Sequence, residues 1–177
     1  MIGRVEAIHE MEMTAAEEAE TAALLVLCFD TDFGGRSFFR TRHHLRLVIR
    51  DEGRLAAHMA LQFRSMRLGG RLVDVACLAE VATHPDHRGQ GLAGQLLQEA
   101  IGAARRARAA HFLLFGTARL YEAAGFVQAR NPIIYVEMDG AFTGEIKRAR
   151  ANILQVLDLS AETWDQAAEL DLLGALF

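Results

Sequence analysis

Alternation of apolar and polar side chains predicts three consecutive strands in the first half of the chain, joined by turns that contain glycine. These runs are residues 44–50, 55–66 and 72–83. Two stretches show helical spacing instead: the residues after Thr14, which forms a capping box with Glu17, and residues 91–109. The pattern therefore predicts a meander of three strands that leads directly into a helix.

The second half of the chain alternates short apolar runs with turn signals. His111–Phe115 is fully apolar apart from its first residue and predicts a buried strand, and a short helix is predicted at residues 117–124. Residues 126–130 and 133–138 predict a closing hairpin, and the tail carries one further strand-like run at residues 153–159. Strands and helices thus alternate along the chain, which predicts the α/β (α+β) class.

Length and charge limit the number of domains and the kinds of partner. The chain has 177 residues, enough for one domain with a sizeable core, and we predict a single domain over residues 1–177. The formal net charge of −4 argues against nucleic acid as a partner, since nucleic-acid binding needs a basic surface.

The cellular location of the protein is predicted from its apolar runs and its cysteines. No stretch reaches the eighteen or so apolar residues that cross a membrane, and the first residues show no run typical of a signal peptide. Cys28 and Cys77 lie far apart and form no C-x-x-C pair. We therefore predict a cytoplasmic protein with two reduced thiols and no membrane partner.

The stretch from Val81 to Leu97 predicts a phosphate-binding loop. An apolar strand ends there, the turn Arg88-Gly89-Gln90-Gly91 follows, and helical spacing begins at once. Backbone N–H groups at a helix N-terminus attract anions, and glycine lets the backbone come close to the ligand. Neither the Walker A pattern nor G-x-G-x-x-G is present. A tight turn without a ligand is the simpler alternative.

This stretch resembles the R/Q-x-x-G-x-G/A signature of the GCN5-related N-acetyltransferases, the GNAT family. Leu120-Tyr121-Glu122-Ala123-Ala124-Gly125-Phe126 is similar to a second motif of that family. The resemblance implies the GNAT fold: a mixed, mostly antiparallel sheet of about six or seven strands, with strands 4 and 5 splayed and helices on both faces. It also implies acetyl-CoA as acyl-donor cosubstrate and no metal. The implied cofactor-binding residues are Val81, Ala82, Thr83, Arg88, Gly89, Gln90, Gly91, Leu92, Ala93 and Gly94.

Two catalytic residues are implied by the same resemblance. Tyr121 matches the tyrosine that protonates the departing thiolate, and a phenol suits this role because its pKa is close to that of an alkyl thiol. The alternative is a tyrosine that only packs its ring. Glu80 is the candidate general base, although it precedes Arg88 by eight positions where relatives have nine. A β-bulge would restore its orientation, and the alternative is a structural partner for an arginine or histidine.

The acceptor is predicted from weaker similarity. The region around Asp30 and Asp32 is similar to that of aminoglycoside 2′-N-acetyltransferases, in which acidic residues and the C-terminal carboxylate hold a polycationic substrate. The matched terminal residue here is Phe177, and the tail is also similar to that of nodulation N-acyltransferases. His84 and His87 look like a metal pair but have no companion ligands, so we predict no metal site.

We therefore predict direct transfer of an acetyl group to a primary amine of a small, aminosugar-like molecule. Two alternatives stay open: a peptide or protein N-acetyltransferase or longer-chain N-acyltransferase, and a non-catalytic module that binds acyl-CoA. The apolar end at residues 172–177 raises the further expectation of a homodimer.

Overall fold

The computed structural model describes residues 2–30, 33–139 and 142–177, in which ten strands and three α-helices lie. The strands are β1 (Glu6–His9), β2 (Leu45–Asp51), β3 (Arg54–Leu68), β4 (Arg71–Thr83), β5 (His111–Phe115), β6 (Val127–Gln128), β7 (Pro132–Asp139), β8 (Phe142–Arg150), β9 (Leu154–Asp158) and β10 (Leu170–Ala175). The helices are α1 (Ala15–Cys28), α2 (Leu92–Arg106) and α3 (Arg119–Ala123). None of the described helices is long and apolar enough to cross a membrane.

The chain divides into two compact units, and β3 and β4 contribute to both. Unit 1 contains residues up to Gln62 together with Leu78–Gly102, and unit 2 contains Phe63–Cys77 together with Ala103–Phe177. Each unit is described separately below.

In unit 1, β1, β2 and β3 form an antiparallel meander, and β4 follows as the neighbour of β3. The β2–β3 register runs from Leu45 opposite Leu61 to Asp51 opposite Arg54, where a hairpin turn joins the strands. Helix α1 begins at the capping box of Thr14 and Glu17, as predicted. Its inner face packs on the sheet in a core made by Leu24, Leu25, Phe33, Val48, Leu55 and Ala82.

In unit 2, the strand order is β6-β9-β5-β4-β3-β10-β7-β8. Strand β9 lies between β5 and β6 and is antiparallel to both, whereas β10 is parallel to β7, so the sheet is mixed. Its core contains Met66, Leu68, Val73, Val75, Cys77, Leu113, Ala129, Ile133, Leu154, Val156, Trp164, Leu170 and Leu172. The Trp164 indole donates a hydrogen bond to the buried Asn131 side chain (2.8 Å), which satisfies both polar groups.

The predicted meander, the long helix and the strand at His111–Phe115 are confirmed, but the predicted closing hairpin is wrong. Residues 127–128 pair with β9, and β7 pairs with β8 and β10 instead. The tail contains β8, β9 and β10 rather than one strand, so the described strands outnumber the predicted six or seven. Strand β8 gave no signal because its side chains are exposed on both faces and show no apolar alternation.

Candidate active site

The glycine-rich loop joins the end of β4 to the start of α2 within unit 1. His84 begins a short 3-10 turn, and its ring nitrogen Nδ1 accepts a hydrogen bond from the Asp86 amide (3.3 Å). Gly89 and Gly91 both adopt a left-handed backbone with φ of 77°. Because side chains other than glycine rarely adopt this conformation, the two glycines explain how the chain reverses before Leu92.

The loop has the properties of an anion site at a helix N-terminus. Side-chain atoms added at Gly89 and Gly91 would meet no described atom within 4 Å, so the space in front of the loop is open. The first turn of α2, which the structure describes in full, has no acidic residue. The first amides of a helix lack partners within the helix and carry the positive end of its dipole. The predicted phosphate-binding residues thus fit a diphosphate group.

Glu80 lies three residues before the end of β4 and has a left-handed backbone with φ of 50°. A left-handed residue interrupts the alternation of a strand, as the bulge predicted from the one-residue offset would. Its carboxylate accepts hydrogen bonds from the Phe39 amide (2.7 Å) and from Nε2 of His43 (2.8 Å). Glu80 therefore fastens the segment before β2 to β4, and its role as a base stays a prediction.

A buried charged network surrounds Glu80. The Arg46 side chain is fully buried, and its guanidinium donates two hydrogen bonds to the Glu10 carboxylate (2.7 and 3.0 Å) and one to the Ser37 carbonyl (2.7 Å). Burial raises the pKa of Glu10, but the hydrogen bonds and charge of Arg46, helped by Arg42, outweigh it and lower the pKa below its ordinary value. The network therefore keeps Glu10 ionised.

His58 completes the network as a neutral imidazole. Its Nδ1 lies 2.9 Å from the Glu80 carbonyl oxygen and its Nε2 lies 3.3 Å from a guanidinium nitrogen of Arg46. A carbonyl only accepts and a guanidinium only donates, so the proton belongs on Nδ1. Burial and the charge of Arg46 lower the pKa of His58 from 6.5 to about 3.

We expect His58 to make folding stability depend on pH below about 6.5. Unfolded chains take up a proton on this histidine near pH 6.5, whereas the folded protein resists protonation down to about pH 3. The unfolded state therefore binds more protons in this window, and the free energy of unfolding falls by up to about 1.4 kcal/mol per pH unit as the pH falls. Urea unfolding between these pH values measures this slope.

Two variants separate His58 from the carboxylates that titrate in the same range. His58→Gln keeps a donor for Glu80 and an acceptor for Arg46 but binds no proton. The slope of its free energy of unfolding against pH should therefore be smaller, by the amount that corresponds to about one bound proton. His44→Gln is the matched control, because it replaces an exposed histidine two positions before Arg46 by the same residue. Equal slopes for wild type and His58→Gln would contradict the assignment of a neutral His58.

Tyr121 lies in α3, in unit 2, and is buried. Its ring packs edge-on against Phe126, with 6.1 Å between the ring centres, and its Cε2 atom occupies the space beside Gly116. A methyl group added at Gly116 would lie 2.9 Å from that atom, so the glycine is needed for the ring position. Burial raises the pKa of the Tyr121 phenol, which keeps the hydroxyl protonated as a proton donor must be.

The C-terminal residues of the chain pack near the C-terminal end of β5. The ring of Phe177 lies 5.0 Å from that of Phe115, the residue before Gly116. The Arg64 guanidinium donates hydrogen bonds to the carbonyls of Leu172 (2.8 Å) and Ala175 (3.0 Å). Arg64 thus holds the last residues against the core of unit 2.

The predicted site residues fall into two sets. Glu80 and the loop Arg88–Gly94 belong to unit 1, as does the exposed Asp30, whereas Tyr121 and Phe177 belong to unit 2. Asp32 lies outside the described residues. Sequence reasoning missed the network partners of Glu80, although Arg46 was visible as a charged residue inside an apolar strand.

No group of three or more potential metal ligands occurs in the described parts of the chain. His84 and His87, the pair that resembles a metal motif, lie with their rings edge to face at 5.7 Å between centres. Nε2 of His87 lies 3.2 Å from a carboxylate oxygen of Asp51, which gives it a structural partner.

The α+β fold places a glycine-rich loop between the end of a strand and the N-terminus of a long helix. A sequence model of the acetyltransferase (GNAT) domain matches residues 11–129, which is 119 of the 177 residues. The chain therefore belongs to the GNAT family of acetyltransferase domains. A search among curated proteins found none that matches.

Solved structures confirm the GNAT fold. A GNAT family N-acetyltransferase from Escherichia coli (YhbS), in complex with CoA, is 20% identical with a TM-score of 0.64 and covers 96% of this chain and 89% of that one. A GNAT family acetyltransferase from Brucella melitensis, in complex with acetyl-CoA, is 16% identical with a TM-score of 0.60 and covers 94% of both chains. The ribosomal-protein-S18-alanine N-acetyltransferase from Escherichia coli is 20% identical with a TM-score of 0.60, and the coverage is 90% and 96%.

These similarities are at the level of the fold. A GCN5-related N-acetyltransferase from Kribbella flavida and a probable N-acyltransferase from Enterococcus faecalis are longer, and the chain spans only 32% and 39% of their lengths. At sequence identities this low, the acceptor substrate of a neighbouring structure is a property of that protein and does not carry over to this chain. The splay of β4 and β5 and the placement of helices on both faces stay predictions from the resemblance.

Proposed function

We propose that the protein is an acetyl-CoA-dependent N-acetyltransferase that transfers the acetyl group directly to a primary amine of a small, aminosugar-like molecule. The observation that carries the proposal is the open glycine loop at the N-terminus of α2, with Gly89 and Gly91 both left-handed. Membership in the GNAT family supports the reaction class. The free thiols of Cys28 and Cys77 support a cytoplasmic location.

The donor side of the site is assigned to unit 1. The backbone amides of Gly89–Gly94 would hold the pyrophosphate of acetyl-CoA, since they lie at a helix N-terminus with no acid in its first turn. Residues Val81–Thr83 at the end of β4 would hold the pantetheine arm. When bound, acetyl-CoA supplies the acetyl group as a thioester.

Proton transfers are assigned to Tyr121 and Glu80. The Tyr121 hydroxyl would donate its proton to the departing sulfur, because burial keeps it protonated at neutral pH. Glu80 would accept the proton of the attacking amine through a water molecule. An ionised carboxylate offers about four acceptor positions, and the hydrogen bonds with Phe39 and His43 use two of them.

The acceptor side of the proposal is a set of negative groups that attract an ammonium ion. Asp30 is exposed after α1, and Asp32 follows it in sequence. The carboxylate of Phe177 is a third such group, held in unit 2 by the packing of its ring on Phe115. Similarity to aminoglycoside 2′-N-acetyltransferases and nodulation N-acyltransferases motivates this choice of acceptor.

The test is thiol release from acetyl-CoA against a panel of amines that contains aminoglycosides, polyamines and short peptides. We expect release that depends on aminosugar amines and is negligible with the other classes. Release with peptides alone would replace the acceptor by a peptide α-amine. Binding of acetyl-CoA in calorimetry without release by any amine would point to a binding module, and no binding would refute the assignment of the loop.

We also predict that Gly91→Ala weakens acetyl-CoA binding at least ~10-fold, because a methyl group at a left-handed residue costs about 1–2 kcal/mol and stands where the backbone must approach the ligand. Calorimetric titration with acetyl-CoA measures the change. Gly53→Ala is the matched control: Gly53 is left-handed with φ of 83° and equally open, but it lies in the β2–β3 turn. The prediction fails if both variants lose the same affinity.

A further inference from the structure

Strand β8 is a free edge of the sheet. It is the last strand in the order and pairs with β7 alone among the strands that the structure describes. Its nine residues, Phe142–Arg150, therefore carry one row of backbone N–H and C=O groups that no neighbouring strand satisfies. Such an edge is a template for pairing with another chain.

Two large apolar side chains are exposed along this edge. Phe142 is 79% exposed and Ile146 is 73% exposed, the highest values among the exposed aromatic and β-branched residues of the described chain. The core of unit 2 is built from apolar side chains of other strands, among them Met66, Val75 and Leu113. An edge strand that presents both free backbone groups and apolar side chains has the chemistry of a pairing surface.

The sequence of β8 is complementary to itself when two copies run antiparallel around Ile146. In that register Glu145 of one copy lies opposite Lys147 of the other, twice by symmetry. Ile146 lies opposite its own copy, and Phe142 lies beyond the bulge that interrupts β8 between Thr143 and Ile146. No like charges face each other directly in this register.

We propose that the β8 edge binds the β8 edge of a second copy of this chain, antiparallel and centred on Ile146. A two-fold axis then relates the two copies, so every contact occurs twice. The proposal is independent of the catalytic assignment, since it uses no residue of the candidate active site. The apolar tail that first suggested a dimer is otherwise engaged: Leu172 is buried and Phe177 packs on Phe115.

The expected dimer is weak. One pair of strands buries less than the ~1,200 Å² at which stable specific interfaces begin. Lys147 also has partners in its own chain, Glu145 at 3.2 Å and Glu137 at 3.4 Å, so the new contacts add to an existing surface network. We therefore expect an equilibrium between monomer and dimer that depends on protein concentration.

Sedimentation velocity of the full chain tests the proposal at roughly 1 µM to 1 mM, the range of weak affinities. Glu145→Lys places two lysines opposite each other, and Lys147→Glu places two glutamates opposite each other. Each single variant should associate at least ~10-fold more weakly than wild type, because two attractive pairs become repulsive. An equimolar mixture of the two variants should regain association. In the mixed dimer, a chain with lysine at both positions faces a chain with glutamate at both, so both cross-strand pairs are attractive again.

The mixture distinguishes pairing from a local effect on the strand. If a substitution only unfolded the β7–β8 hairpin, mixing the two variants would not restore association. Wild type that stays monomeric throughout the range, single variants that associate like wild type, or a mixture without rescue would each overturn the proposal.

Cross-linking gives a second readout, because Lys147 is the only lysine of the chain. In the proposed register the two Lys147 residues are diagonal neighbours, about 7–8 Å apart along the pair. A short amine-reactive cross-linker should therefore join two copies of the same Lys147 peptide, which mass spectrometry identifies as an intermolecular product. Lys147→Arg keeps the charge and should still sediment as a dimer but lose this product. A cross-link from Lys147 to the N-terminal amine alone would contradict the register.

Discussion

Replacement of Arg46 by methionine is expected to lower the free energy of unfolding by about 3–5 kcal/mol, the cost of removing one partner of a buried ion pair. The Arg46 side chain is fully buried, and Glu10 opposite it is 7% exposed. Methionine fills much of the space but removes both hydrogen bonds of Arg46 to the Glu10 carboxylate and its hydrogen bond to the Ser37 carbonyl. In a chain of this length the change corresponds to a fall in melting temperature of roughly 10 °C.

Arg42→Met is the matched control for this prediction. Arg42 contacts the same Glu10 carboxylate at 3.1 Å, but its side chain is 50% exposed. A surface pair of this kind contributes at most about 1 kcal/mol. Urea unfolding of both variants measures the difference, and similar losses for Arg42→Met and Arg46→Met would show that burial does not set the strength of this network.

Tyr121→Phe is expected to lower kcat at least ~10-fold, equivalent to about 1.4 kcal/mol of transition-state stabilisation, and to leave acetyl-CoA binding unchanged. Phenylalanine keeps the contact with the Phe126 ring and removes only the hydroxyl. The variant therefore tests the proton donor rather than the packing. Initial rates of thiol release with the best amine of the panel, compared at saturating acetyl-CoA, measure the effect.

Two further variants complete this test. Tyr135→Phe changes the other tyrosine of the chain, which lies in β7, and should keep the wild-type rate. Gly116→Ala keeps the hydroxyl but forces the Tyr121 ring to move, so it should also lower kcat. A wild-type rate for Tyr121→Phe would leave Tyr121 with the packing role alone.

The two halves of the chain differ in how well their patterns predict the strands. In the first half, β2, β3 and β4 are joined by short turns, and neighbours in sequence are neighbours in the sheet. In the second half, β7 pairs in parallel with β10, which lies more than thirty residues later. The predicted hairpin at residues 126–138 assumed that strands adjacent in sequence pair with each other. In the structure β6 pairs with β9, and β7 pairs with β10.

The candidate site shows the same contrast. The glycine loop and the capping box of α1 were predictable because each depends on residues within a few positions of one another. The surroundings of Glu80 were not, since His43 and Arg46 come from a segment more than thirty residues earlier in the chain. The left-handed backbone of Glu80 has no local sequence signal either, because glutamate rarely adopts it.

The sequence by itself therefore determined the family, the glycine loop and the candidate donor Tyr121, all of which are encoded in short motifs whose chemistry is local. Only the tertiary structure decided that Arg46 and His58 are buried beside Glu80, that Gly116 makes room for the Tyr121 ring, and that β8 is left as a free edge. These features arise from pairings between distant strands, and a pattern of apolar and polar positions shows which face of a strand is buried but not which strand will cover it.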